Sequence, residues 1–166
     1  KRDWSSDVCS SDLNTFNNSG YGIIAEHTAL TVLNSKFNKI NTDVDYPGIA
    51  ISHLGFDERS DQLIVGGTLP GQAVLFTDCK TGVQATENLK LSVNGNTFTN
   101  CSTAVNAYLC SDTVFANNIE VLNNTITNAG YGVLLNINSN SRINVNYNTI
   151  TAKTDSGFAI AVQEIG

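Results

Sequence analysis

The sequence repeats itself most clearly in three octapeptides: LSVNGNTF at residues 91–98, IEVLNNTI at 119–126 and INVNYNTI at 143–150. Each has apolar residues at alternate positions, then a turn that contains asparagine, then one more apolar residue. A period of two is typical of β-strands, because successive side chains of a strand point to opposite faces. The octapeptides therefore predict short strands joined by tight turns, within a stack of similar units.

The last apolar residue of each octapeptide defines a frame that extends back along the chain. The full series, in steps of similar length, is Phe16, Phe37, Phe56, Phe76, Phe98, Ile126 and Ile150. Apolar residues recur seven positions after each of the first six, at Ile23, Val44, Leu63, Val83, Val105 and Val133. A unit of about 22 residues accommodates three short strands, and stacked units bury a continuous core. The frame thus predicts about seven coils over residues 14–166.

The composition excludes two classes of protein. Charged residues make up only 14% of the 166 residues, and the net charge is −6. Such a chain lacks the basic face that nucleic-acid binding requires. A membrane-spanning helix is not expected either, because every apolar run in the sequence is too short to cross a bilayer. Asparagine and threonine dominate the polar positions and favour turns and strands.

The first thirteen residues do not fit the repeat. The segment DWSSDVCSSDL, at residues 3–13, matches the translation of a common sequencing adapter. We therefore interpret residues 1–13 as a scar that is not native, and residues 14–166 as a single domain that is a fragment of a longer protein. Flanking β-helix coils of that longer protein are then expected partners.

The repeated pattern, with a glycine followed by Val or Ile after the third apolar residue, resembles the right-handed parallel β-helix of the pectate-lyase-like superfamily. The resemblance covers residues 14–166 and implies an all-β, single-stranded solenoid. A leucine-rich repeat fits part of the pattern, but it requires an apolar residue where this chain has Asn88 and Asn140. In the superfamily, asparagines at one turn position form an inward-facing ladder. The matching residues, two before the frame position, are Asn14, Asn96, Asn124 and Asn148, with interruptions at Ser35, Leu54 and Val74.

A cluster of carboxylates offers a weak metal site. The residues are Asp43, Asp45, Asp57, Glu58 and Asp61. Oxygen ligands that converge from adjacent coils could hold calcium. The frame places Lys39, Glu58 and Asp78 at one repeat position. The alternative is a solvated turn, in which Lys39 and Glu58 form a surface ion pair of little energetic value. No other cofactor is expected.

Two cysteines share a repeat position. Cys79 and Cys101 are expected to lie about 4.8 Å apart in adjacent coils. That spacing permits either a disulfide or a buried thiol stack. Tyr21 and Tyr131 also share a position, and they either shield the sheet or provide a stacking surface for sugar rings.

The resemblance leaves two functions open. Enzymes of the superfamily use calcium-binding aspartates with an arginine, or the motifs Asn-Thr-Asp, Asp-Asp, Gly-His-Gly and Arg-Ile-Lys, and none of these is complete here. The chain is therefore expected to be a non-catalytic segment of a secreted or cell-surface bacterial protein, acting as an adhesin-like scaffold or binding polysaccharide. The alternative is part of a lyase or hydrolase of acidic glycans whose catalytic coils are missing.

Overall fold

The fold consists of β-strands and turns, and its strands follow one another in a fixed rotation through three sheets. The computed structural model describes residues 9–11, 13–41, 47–55, 62–110, 118–137 and 141–164. Within these ranges every regular element is a strand. None of them forms a helix of the length and apolarity that a membrane span requires.

Each sheet contains six parallel strands in the described part of the chain. Sheet A is built from β1 (Cys9–Ser11), β4 (Ala29–Val32), β7 (Gln62–Gly66), β10 (Lys90–Asn94), β13 (Ile119–Leu122) and β16 (Ile143–Asn146). Sheet B is built from β2 (Thr15–Asn17), β5 (Lys36–Asn38), β8 (Leu75–Thr77), β11 (Thr97–Thr99), β14 (Thr125–Ala129) and β17 (Thr149–Ala152). Sheet C is built from β3 (Tyr21–Glu26), β6 (Ile49–Leu54), β9 (Thr81–Thr86), β12 (Thr103–Tyr108), β15 (Tyr131–Ile137) and β18 (Phe158–Glu164).

Consecutive strands belong to sheets A, B and C in turn, so the chain winds into a parallel β-helix, as the repeat predicts. Strand β1 lies within the segment that we interpret as an adapter scar, and its backbone pairs with Leu30–Val32. The origin of that segment stays a prediction.

The number of coils differs from the prediction. Phe37 pairs directly with Phe76, so residues 37–76 form one coil rather than two, and the described strands stack in six layers instead of seven. Leu63, expected in sheet C, pairs with Leu30 and Leu91 in sheet A. Val44 is expected to lie between Ile23 and Val83 in sheet C. Ile51 occupies that position instead and pairs with both residues.

Long connections explain the error. In this coil the connections between strands span residues 39–48, 55–61 and 67–74. In the coil that follows, the corresponding connections are residues 78–80, 87–89 and 95–96. Turn length is not constrained by the alternation of inward and outward residues. One coil of nearly double length therefore fitted the sequence pattern of two ordinary units. Phe56, the frame residue expected between Phe37 and Phe76, lies outside the described residues.

The interior is filled by columns of identical or similar apolar side chains. The rings of Phe16, Phe37, Phe76 and Phe98 stack face to face, with centroid distances of 4.7, 5.2 and 4.4 Å. Columns of Leu, Ile and Val from sheet A pack beside them and are fully buried from β7 to β13. Burying each such side chain contributes about 1.5–3 kcal/mol, so the shared interior stabilises every layer.

The corners of the solenoid use left-handed backbone. One such column follows sheet B, with φ of 54° at Asn18, Lys39 and Asp78 and 57° at Asn100 and Asn128. Asparagine and aspartate tolerate this conformation because their side chains bond to nearby backbone. The turns therefore sit where the abundant asparagines predict them.

Candidate ligand-binding surfaces

The five carboxylates proposed for calcium, Asp43, Asp45, Asp57, Glu58 and Asp61, all lie outside the described residues. In the part of the chain that the structure describes, no three histidine, cysteine or carboxylate side chains come together as a metal site. The calcium site stays a prediction. Lys39 and Asp78, which the repeat placed two units apart with Glu58 in the coil between them, occupy directly adjacent coils.

The asparagine column lies at the corner between sheets A and B. Oδ1 of Asn124 accepts hydrogen bonds from the backbone N–H and from Nδ2 of Asn96, at 2.9 and 3.1 Å. Oδ1 of Asn148 accepts the same two bonds from Asn124, both at 2.9 Å. Each Nδ2 also donates to the carbonyl of a sheet A valine, such as Val93 for Asn124. The amides of Asn96 and Asn124 therefore each join their own coil to both neighbours, and that of Asn148 joins the last described coil to the one before it.

The column is interrupted in two coils. Ser35 and Val74 occupy the position there, and the backbone N–H of Val74 donates to Oδ1 of Asn96 at 3.0 Å. Asn14 lies at the same position in the first coil, where its carbonyl accepts the N–H of Lys36. The expected interruption at Leu54 is wrong, because Leu54 belongs to β6 of sheet C.

Buried polar groups at the corner between sheets C and A were not predicted from the sequence. Nδ2 of Asn88 donates to the carbonyls of His53 and Thr86, at 3.3 and 2.9 Å. Nε2–H of His53 donates to the carbonyl of Thr28 at 2.8 Å. His53 is buried in an inward column between Ala25 and Ala85. The small Ala side chains above and below leave room for the imidazole ring. The sequence shows that His53 lies between two alanines only when the coils are aligned correctly.

Cys79 and Cys101 lie in adjacent coils and are free, buried thiols. The hydrogen bond between the two thiols lowers the pKa of Cys79. The same bond, together with burial, raises the pKa of Cys101. Cys79 is therefore the member of the pair that ionises first. Cys110 is separate, and burial raises its pKa to about 11.

A surface depression of about 510 Å³ lies over the corner between sheets B and C. Its lining residues are Lys39, Asn41, Asp78, Cys79, Lys80, Asn100 and Ser102. Nδ2 of Asn100 donates to a carboxylate oxygen of Asp78 at 2.9 Å, and Nδ2 of Asn128 donates to Oδ1 of Asn100 at 2.8 Å. The depression thus presents two ammonium groups beside an ordered row of amide and carboxylate groups, an arrangement that suits a carboxylate-bearing ligand.

The outer face of sheet C carries hydroxyl, amide and aromatic side chains in register. One column continues from Thr81 and Thr103 to Tyr131 and Phe158. The rings of Tyr131 and Phe158 stack with centroids 5.4 Å apart, and they are 37% and 54% exposed. Tyr21 begins the same column, as its shared repeat position predicts, and the buried Ile49 follows it. The second column is Ile24, Ser52, Gln84, Asn106, Leu134 and Ala161, and the third is Glu26, Leu54, Thr86, Tyr108, Asn136 and Gln163.

Comparison with known protein families agrees with this architecture. A family model described as a right-handed β-helix region matches residues 4–164. No curated protein and no solved structure gave a significant match.

Proposed function

We propose that this chain, which belongs to the right-handed β-helix family, is a non-catalytic scaffold segment of a secreted or cell-surface protein and binds polysaccharide along the outer face of sheet C. The observation that carries the proposal is the stacked, exposed pair of Tyr131 and Phe158, with the amides of Asn136 and Gln163 in register on the same two strands. Aromatic faces pack against sugar rings, and amides fix the orientation of the hydroxyl groups. Repetition every strand, about 4.8 Å, suits a polymer that runs along the rod.

The distribution of carboxylates on this face supports a non-catalytic role. Among the described outward positions of sheet C the one carboxylate is Glu26, on β3. Glu164, on β18, pairs with Ile137, which packs against the core, so its position belongs to the inward side of the sheet. Glycosidases use two carboxylates about 5–9.5 Å apart, and the described outward positions of this face supply one.

A binding experiment tests the proposal. The purified chain is run through native gels that contain neutral or uronate polysaccharides, and retardation gives the affinity for each. Replacing both rings, with Tyr131→Ala and Phe158→Ala, is expected to weaken binding about tenfold, equivalent to about 1.4 kcal/mol. The control is Tyr147→Ala, which removes a ring that is 85% exposed at the corner between sheets A and B.

Two results would contradict the proposal. If none of the polysaccharides slows the migration of the chain, the chain does not bind polysaccharide. If the Tyr147→Ala control loses as much affinity as the double variant, the binding face is not sheet C. Shortening of a uronate polymer, with calcium and not without it, would instead support the lyase alternative. If the wild-type chain binds uronate polymers more tightly than neutral ones, and the double variant Lys39→Gln with Lys80→Gln loses this difference in affinity, the binding face includes the depression.

A further inference from the structure

The outer face of sheet B carries an array of threonines that the proposed function does not use. The array occupies four consecutive strands, β8, β11, β14 and β17, at the two positions that flank the inward-facing Phe or Ile of each strand, and Leu75 takes the eighth position. Its members, which we call the threonine face, are Thr77, Thr97, Thr99, Thr125, Thr127, Thr149 and Thr151. The first three are half-buried and the other four are exposed.

The array is in strict register. Thr97 pairs with Thr125, which pairs with Thr149. In the second column Thr99 connects Thr77 to Thr127, and Thr127 pairs with Thr151. The one irregularity in these strands comes after Thr127 and leaves both columns intact.

The array is also held rigidly from behind. The intervening side chains of Phe76, Phe98 and Ile126 are fully buried in the interior. Threonine is branched at Cβ, so few χ1 rotamers are open to it, and neighbours in a column restrict it further. The hydroxyl and methyl groups are therefore ordered before any ligand arrives, which lowers the entropic cost of binding.

The spacing defines the ligand. Threonines repeat about every 4.8 Å across the strands and about every 6.6 Å along each strand, since the two columns lie two residue steps apart in a parallel sheet. Both repeats are close to the lattice repeats on the prism faces of hexagonal ice. A single polymer chain repeats in one direction only, whereas a crystal surface repeats in two.

The chemistry of the face selects among crystal surfaces. The seven positions are uncharged and each offers one hydroxyl and one methyl group. Hydroxyl groups can replace water in a lattice of donors and acceptors, while methyl groups fill the spaces between lattice waters. An ionic mineral would call for charged ligands, and the first charged position on this face is Lys36, one strand beyond Leu75. We propose that the threonine face binds ice.

The experiment measures growth of ice grains in a frozen sucrose film, with the purified chain added over a range of concentrations. We expect the wild-type chain to halt grain growth, and the double variant Thr125→Lys with Thr127→Lys to lose this effect. The fold accepts lysine on this face, since Lys36 occupies the column of Thr125. The matched control, Ser92→Lys with Asn94→Lys, places the same charges two residues apart on the outer face of sheet A and is expected to keep the effect.

A second variant guards against misfolding. Thr127→Asn with Thr151→Asn introduces the residue that Asn17 and Asn38 already place in this column, and it is also expected to lose the effect. Circular dichroism confirms the fold of each variant. Unhindered grain growth with the wild-type chain overturns the proposal, as does inhibition that survives in both threonine variants. Binding to crystalline cellulose or chitin without any effect on ice also overturns it and assigns the face to polysaccharide.

Discussion

Replacing Asn124 with valine tests whether the amide column holds the coils together. The side chain of Asn124 satisfies two buried backbone groups, the N–H of Asn96 and the carbonyl of Val93. Leaving a buried polar group without a partner costs about 1–3 kcal/mol, so two such groups cost about 4 kcal/mol. Burial of the valine returns about 1 kcal/mol. The expected loss of unfolding free energy is therefore about 3 kcal/mol.

The matched control is Thr125→Val, which introduces the same residue one position further on, at an exposed site of the same corner. Its effect is expected to stay within about 0.5 kcal/mol. Urea titrations followed by far-ultraviolet circular dichroism measure both variants. A loss of about 3 kcal/mol also lowers the melting temperature by roughly 6–12 °C in a chain of this length. If Asn124→Val costs no more than Thr125→Val, the amide column does not stabilise the rod.

Two further predictions concern the interior. Val93→Asp buries an unpaired charge and is expected to unfold the chain at neutral pH. The control Asn94→Asp, at an outward-facing position, is expected to leave the circular dichroism spectrum unchanged. If Val93→Asp folds, the assignment of Val93 to the interior is wrong. Because burial raises the pKa of Cys110 from 9.0 to about 11, the unfolded state releases this proton first as pH rises. The unfolding free energy should therefore fall between pH 9.0 and about 11, by about 3 kcal/mol more than in Cys110→Ala, and equal slopes in the two proteins would contradict the burial of this thiol.

The sequence was sufficient for the architecture because the interior imposes a strict chemical rule on each coil. Val93, Val121 and Val145 fall in one column as the octapeptides predict, since each must point into the same core. Asn96 and Asn124 follow because each amide supplies both a donor and an acceptor to the neighbouring coil, although Val74 shows that the corner position also accepts an apolar residue. Where burial selects the residue type, the pattern in the sequence is enough.

The coil count failed where burial does not act. Residues 37–76 match two ordinary units because Ile51, Phe56 and Leu63 happen to be apolar at the expected spacing. One signal contradicted that alignment: Gly71 stands at a position otherwise taken by Val or Ile. A buried position in a repeat tolerates few such exceptions. Leu54 in the asparagine column was not such a signal, because the apolar Val74 does occupy that column.

The same distinction explains why the outer surfaces were harder to predict than the core. Lys39 and Asp78 contribute to one depression only because Phe37 pairs directly with Phe76, so an error of one coil separates them. Thr99, Thr127 and Thr151, by contrast, follow the frame residue in coils that the octapeptides align without error. Solvent-facing positions do not need threonine for folding, and Lys36 and Leu75 show that other residues fit the same face. An unbroken run of threonine at positions where the fold accepts lysine and leucine is the kind of pattern that a ligand, rather than the core, explains.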